Sequence, residues 1–244
     1  MKTFLAFTAS FAVSIALLGA STAAAAPPAA TEEGFTPLFN GVDLTGWTGD
    51  TYGYRAEDGL LVANKPLGNL YTDAIYSDFI LRFEFKLTPG ANNGIGLRVP
   101  LRRRASRDGM EIQIFDNSAQ KAQKAHPWQM QGSIYGVVPA KTGHLKPVGE
   151  WNEEEIRIEG PKVHVVLNGT TIVDADLTPF RNGAPTPDGR RHPGLKRVRG
   201  HISLCGHRSL VYFRNLRIKP LKTAVPNEWP KGILYHNAPH GQGS

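Results

Sequence analysis

From Phe79 to Leu87 the chain alternates without a break, with Phe79, Leu81, Phe83, Phe85 and Leu87 set against Ile80, Arg82, Glu84 and Lys86. Successive side chains of a strand point to opposite faces, so this stretch predicts a strand with one buried and one wet side. Further strand-like runs recur at 60–63, 94–99, 109–117, 132–138, 155–159, 163–168, 171–175, 200–205 and 210–219. Turn signals separate them, among them Asp58-Gly59, Pro89-Gly90 and the two-residue hairpin signal Asn168-Gly169. Residues 118–125 alone read as a helix, of about two turns. Many short strands, almost no helix and no internal repeat predict an all-β sandwich over residues 34–221, with that helix outside it.

The ends read differently. Lys2, a mostly apolar run at 4–18 and small residues at 20–26 have the pattern of a secretory signal peptide over residues 1–26. That run is too short to span a membrane and no second one follows. Residues 27–33 read as a Pro- and Ala-rich disordered leader and 222–244 as an irregular tail. The expectation is an exported protein, periplasmic or extracellular, with no membrane span. Cys205 is the sole cysteine, so no intrachain disulfide supports the fold.

The formal net charge is +7, and its basic residues crowd into Arg102, Arg103, Arg104 and Arg107 and into Arg190, Arg191, Lys196, Arg197 and Arg199. Both clusters lie in Gly- and Pro-punctuated segments that read as solvated loops, with an anionic glycan or surface phosphate as the functional rival. Nucleic acid is not an expected partner of an exported chain.

The stretch Gly109-Met-Glu-Ile-Gln-Ile-Phe-Asp-Asn117 carries the chemistry. Met110, Ile112 and Ile114 share one face, and Glu111, Gln113 and Phe115 the other. A carboxylate, an amide and an aromatic in line suit a sugar-binding groove. In 94–99, glycines at 94 and 96 leave room over the sheet, with Arg98 placed beside that space.

With these residues located, the chain from 34 to 221 resembles the 3-keto-disaccharide hydrolase domain family. The matches recur in order: Phe35-Thr-Pro-Leu-Phe-Asn-Gly-Val-Asp-Leu-Thr-Gly-Trp47, Asp78-Phe-Ile-Leu-Arg-Phe-Glu-Phe85, Asn92-Asn-Gly-Ile-Gly-Leu-Arg98, Glu111-Ile-Gln-Ile-Phe-Asp-Asn117, Lys146-Pro-Val-Gly-Glu-Trp-Asn152, Leu167-Asn-Gly169 and Phe213-Arg-Asn-Leu-Arg-Ile218. The resemblance implies a concanavalin-like jelly-roll sandwich and a small carbohydrate substrate already oxidised at C3. Cys205-Gly206-His207 stands where the family usually shows Gln-Asp-His, so only the histidine carries over. The basic loop at 101–107 and the long loop at 183–194 are also unusual for it.

A ketone at C3 acidifies the proton on C2, so a base can remove it and the glycosidic oxygen can leave C1. Glu111 is the first candidate as base or metal ligand, followed by His207, whose parity matches His201, Ser203 and Cys205, and by His144 on a loop. Substrate contacts are expected from Asn93, Arg98, Gln113, Asp116, Lys146 and Trp151. Arg98 has an alternative role in a structural bridge to Glu111 or Asp116. Trp128 and Trp151 are candidates to stack on sugar faces, whereas Trp47 fits the core better. A divalent ion at Glu111 and His207 remains open, because no ligand pair has close spacing in the sequence. Two further readings are a lectin-like binding module and a retaining glucanase of laminarinase type. The latter would use Glu111 and Asp116, although Gln113 stands where that pattern has a carboxylate.

Overall fold

A computed structural model describes residues 32–221; the segments read as signal peptide and tail, and most of that read as leader, lie outside the described residues. Glu32, at the end of the segment read as leader, pairs with both Arg82 and Arg217.

The described residues form two antiparallel sheets. The larger contains β1 (Thr36–Pro37), β3 (Tyr54–Glu57), β4 (Leu60–Asn64), β6 (Phe79–Leu87), β9 (Trp151–Glu159), β10 (Lys162–Leu167), β11 (Thr170–Asp176) and β13 (Leu210–Pro220). Its strand order is β11-β10-β9-β6-β13-β4-β3, with β1 added on β13. The smaller contains β2 (Trp47–Gly49), β5 (Leu70–Thr72), β7 (Asn92–Val99), β8 (Met110–Phe115) and β12 (His201–Leu204), in the order β2-β5-β12-β7-β8. Among the described residues no helix is long and apolar enough to cross a membrane.

The alternation in β6 is the reason the sheets stack. Phe79, Leu81, Phe83 and Phe85 point inward and meet Ile95, Leu97, Ile112, Ile114 and Leu204 from the smaller sheet. Each such side chain contributes roughly 1.5–3 kcal/mol on burial, enough to fix which face of each strand turns inward. Trp47 joins this core and donates its indole N–H to the Leu38 carbonyl at 2.7 Å. Asn168 and Gly169 both adopt positive φ, as the tight turn between β10 and β11 requires.

Three expectations change. Residues 118–125 form no α-helix; the stretch Gln120–Lys124 is a 3₁₀ turn, too short and too close to Pro127 to propagate. Among the described residues the α-helical segments are single turns, α1 (Ala105–Asp108) and α2 (Thr178–Arg181). The run 132–138 is a loop rather than a strand: Ile134 bridges to both Ile112 and Val138, so the chain folds back on itself within four residues.

Candidate active site

The alternation of β8 survives in the structure. Met110, Ile112 and Ile114 enter the core, and Glu111, Gln113 and Phe115 face outward from the smaller sheet. Those outward side chains are nevertheless covered. Tyr135 N–H donates to the Glu111 carbonyl at 2.9 Å and Gln113 N–H to the Ser133 carbonyl at 3.0 Å, so the 132–138 loop lies against the free edge of β8. On the other side α1 and the loop before it cover Tyr71, Val99 and Cys205, and the Tyr71 hydroxyl donates to the Arg103 carbonyl at 2.9 Å.

Between these covers lies a recess containing Glu111. Its partner across the ladder on β7 is Gly96, and at the diagonal position, Gly94, a Cβ would stand 2.3 Å from Glu111 Oε1; the absence of a side chain there lets the carboxylate lie flat over the sheet. Glu111 is only 5% exposed, and its Oε1 lies 3.3 Å from His207 Nε2. The His207 side chain is 40% exposed, so it forms the wet rim of the pair. Backbone contacts place it: Cys205 N–H donates to the Gly94 carbonyl at 2.8 Å and Gly206 N–H to Asn69 Oδ1 at 3.1 Å. Burial and the Glu111 carboxylate push the Cys205 thiol well up, so it stays neutral beside the pair.

A cleft of about 280 Å³ lies further along the same face of β8, lined by Asn92, Gln113, Phe115, Lys121, Gln129 and Tyr135 among others. Gln113 Nε2 donates to Asn92 Oδ1 at 3.3 Å. Trp128 stacks on His126 at 5.0 Å and meets Tyr135 edge-on at 5.2 Å, placing a flat aromatic surface beside the cleft. Donors, acceptors and an aromatic edge in one open groove match the alternating polar and apolar faces of a sugar.

Several expected site residues stand elsewhere. Arg98 does not face the recess. Gly96 pairs with Ser203 and Val99 with His201, so β7 carries an extra residue there, and Arg98 takes φ +53° in this bulge. The bulge turns Val99 outward and buries the Arg98 guanidinium, which donates to Asp78 Oδ1 at 2.7 Å and to the carbonyls of Ser77, Gly160 and Arg197. Burial, against the pull of Asp78, lowers its pKa to about 10.

Asn93 has the inward parity of Ile95 and Leu97 and no exposed surface. Asp116 lies just beyond β8, where it accepts from Gly90 N–H, Ser118 N–H and the Ser118 hydroxyl at 2.6–2.9 Å; it ties a loop. Trp151 is on the outer face of the larger sheet between Lys86 and Arg214, so the whole sandwich separates it from Glu111. Lys146 Nζ donates to the Trp151 carbonyl at 3.0 Å, and the His144 carbonyl accepts from Asn168 at 2.7 Å; both belong to the edge of that sheet. Of the expected set, Glu111, Gln113 and His207 come together. Cys205 was legible from its shared parity with Ser203. Tyr135 and Gln129 had no sequence signal, because their loop closes on β8 only through tertiary contacts.

Among the described residues no three His, Cys, Asp or Glu side chains form a metal-binding group. Glu111 and His207 supply two donors, so a divalent ion at this point would complete its shell with water or substrate oxygens.

A jelly-roll sandwich with a carboxylate–imidazole pair and a polar, aromatic-edged cleft on one sheet face has the build of a carbohydrate-active protein. The chain belongs to the 3-keto-alpha-glucoside-1,2-lyase-like domain family, whose model matches residues 34–219. A Bacteroides thetaiotaomicron protein named 3-keto-disaccharide hydrolase is 25% identical over 232 residues, covering 78% of this chain and 79% of the relative. A candidate glycosyl hydrolase from Parabacteroides distasonis of known crystal structure superposes with a TM-score of 0.69 at 29% identity, over 77% of this chain and 99% of that one. A second from the same organism gives a TM-score of 0.69 at 26% identity, over 78% and 95% of the two chains.

Proposed function

We propose that the protein is an exported enzyme that cleaves the glycosidic bond of 3-keto-glucosides by elimination across C1 and C2. The observation that carries this reading is the pair of Glu111 Oε1 and His207 Nε2 at 3.3 Å, with the carboxylate recessed over Gly94 and the imidazole at the rim. His207, the more accessible member, removes the C2 proton. Glu111, only 5% exposed, accepts the hydrogen bond from the imidazolium and stabilises its charge. The C–H electron pair forms the enolate of the C3 ketone. Re-forming that ketone makes the C1=C2 double bond and expels the aglycone oxygen, which takes up a proton. Addition of water across C1=C2 completes a net hydrolysis; release before that step leaves the unsaturated ketosugar.

The family match and the named relative support the substrate class. A retaining glucanase mechanism fits poorly, because Asp116 has left the strand and its oxygens are engaged by Gly90 and Ser118.

Turnover of a 3-keto-disaccharide, followed by mass spectrometry of the products, tests this reading. His207→Ala and Glu111→Gln are each expected to lower kcat by about 10²–10⁴-fold with the fold retained. Unchanged turnover in either variant would remove that residue from the chemistry. Binding of the ketosugar without any product would instead favour a lectin-like module.

A further inference from the structure

Two basic segments that are distant in the sequence meet beside the candidate site. His192 Nδ1 donates to the Ser106 carbonyl at 2.8 Å, and Arg197 Nε donates to the Asp108 carbonyl at 2.6 Å, joining α1 to the turn Pro193–Lys196. Residues 102–108 and 188–199 together hold nine basic and two acidic side chains, an excess equal to the +7 of the whole chain. The rest of the molecule is therefore close to neutral, and the charge is concentrated on one shelf.

The acids on this shelf do not neutralise it. The Asp188 side chain is buried, only 2% exposed, and its oxygens receive the His192 ring, the Thr186 hydroxyl and the Arg190 N–H. Among the described residues Arg102, Arg104, Arg107, Arg190, Arg191 and Lys196 form no ion pair, and all six are exposed.

Three of them, Arg190, Arg191 and Lys196, line a cleft of about 500 Å³ together with Phe180, His192 and Leu195. One loop separates it from the recess: Asp188 N–H donates to the Gly136 carbonyl at 3.3 Å, and the preceding residue, Tyr135, donates to the Glu111 carbonyl. Low-dielectric walls concentrate the field of the guanidinium groups into the cleft, and the guanidinium fork matches a planar oxyanion in two parallel hydrogen bonds.

We propose that this cleft binds the anionic group of an acidic glycan, a carboxylate or sulfate ester, and so directs acidic carbohydrates toward the Glu111 recess. The identity of the ligand rests on the carbohydrate reading of that recess; the charge complementarity does not.

The test is native-gel retardation of the full chain by polygalacturonate, dextran sulfate and neutral dextran of matched length, at low and high salt. Retardation by at least one acidic polymer, weakened by salt, and none by dextran is expected. The two acidic polymers distinguish a carboxylate ligand from a sulfate. The double variant Arg190→Ala/Arg191→Ala should lose about tenfold or more in apparent affinity at an unchanged melting temperature, since both side chains are exposed. Equal retardation by dextran, or full affinity in the double variant, would overturn the proposal. Displacement of the acidic glycan by double-stranded DNA at equal charge would overturn it as well. Turnover of a neutral 3-keto-disaccharide is measured in parallel; its absence while glycan binding persists would reject the catalytic role of Glu111 and uphold the cleft.

Discussion

At Gly94 a single hydrogen in place of a side chain decides where the Glu111 carboxylate can lie. A methyl group there would stand 2.3 Å from Glu111 Oε1 and 2.8 Å from its Cγ, so the side chain would have to swing away from His207. Gly94→Ala is expected to reduce kcat/KM by about tenfold or more, because a displacement of about 1 Å is costly to catalysis. The displaced atoms belong to a flexible side chain, so the melting temperature should change little; a thermal melt beside the kinetic assay separates the two effects. Arg98 gives the opposite result. Arg98→Ala removes the guanidinium that pairs with the buried Asp78 and should destabilise the fold by about 3–5 kcal/mol, read by urea denaturation. At this scale the sequence was half informative. The parity of Glu111 and Gln113 is a local property of a regular strand and could be read directly. Arg98 was placed on the wrong side because a bulge reverses parity, and nothing in Leu97-Arg98-Val99 announces one.

Between elements, β9 carries a second carboxyl with a different role. Glu154 points between the sheets and is 2% exposed, and its Oε2 accepts from Gln131 Nε2 at 2.7 Å. Gln131 in turn accepts from Phe115 N–H at 2.8 Å, so this pair links the loop over the site to both sheets. Burial raises the Glu154 pKa from 4.5 to about 8, with the Gln131 hydrogen bond opposing the shift. The folded state thus holds a proton that the unfolded chain loses above pH 4.5. The resulting stability is fully present below that pH and is lost as pH rises toward about 8, with a slope of about 1.4 kcal/mol per pH unit. Glu154→Gln should flatten this slope and melt higher than the parent near pH 8; equal pH profiles in thermal melts would count against a neutral Glu154. The alternation of β9 shows which face Glu154 occupies. It does not show Gln131, which stands just before the 132–138 loop that was read as a strand.

Across the whole molecule the sandwich has two outer faces, and only one carries the recess. Trp151, with Lys86 and Arg214 against its ring, lies on the face away from Glu111. Trp151→Ala should therefore leave kcat/KM within about twofold of the parent, measured on the same 3-keto-disaccharide. The order of strands along the chain determined the all-β character, the core faces of β6 and β8, that of β7 as far as Leu97, and the outward position of Glu111, because side-chain alternation is set by the local geometry of the pleat. It also carried the ordered motifs that place the chain in its family. Only the tertiary structure decided that His207 reaches Glu111 while His144 and Trp151 do not, and that two distant arginine clusters form one shelf beside them. Those outcomes depend on which strands become neighbours and which loops fold over which face. Such long-range contacts are settled by the packing of the complete core and leave no period in the sequence.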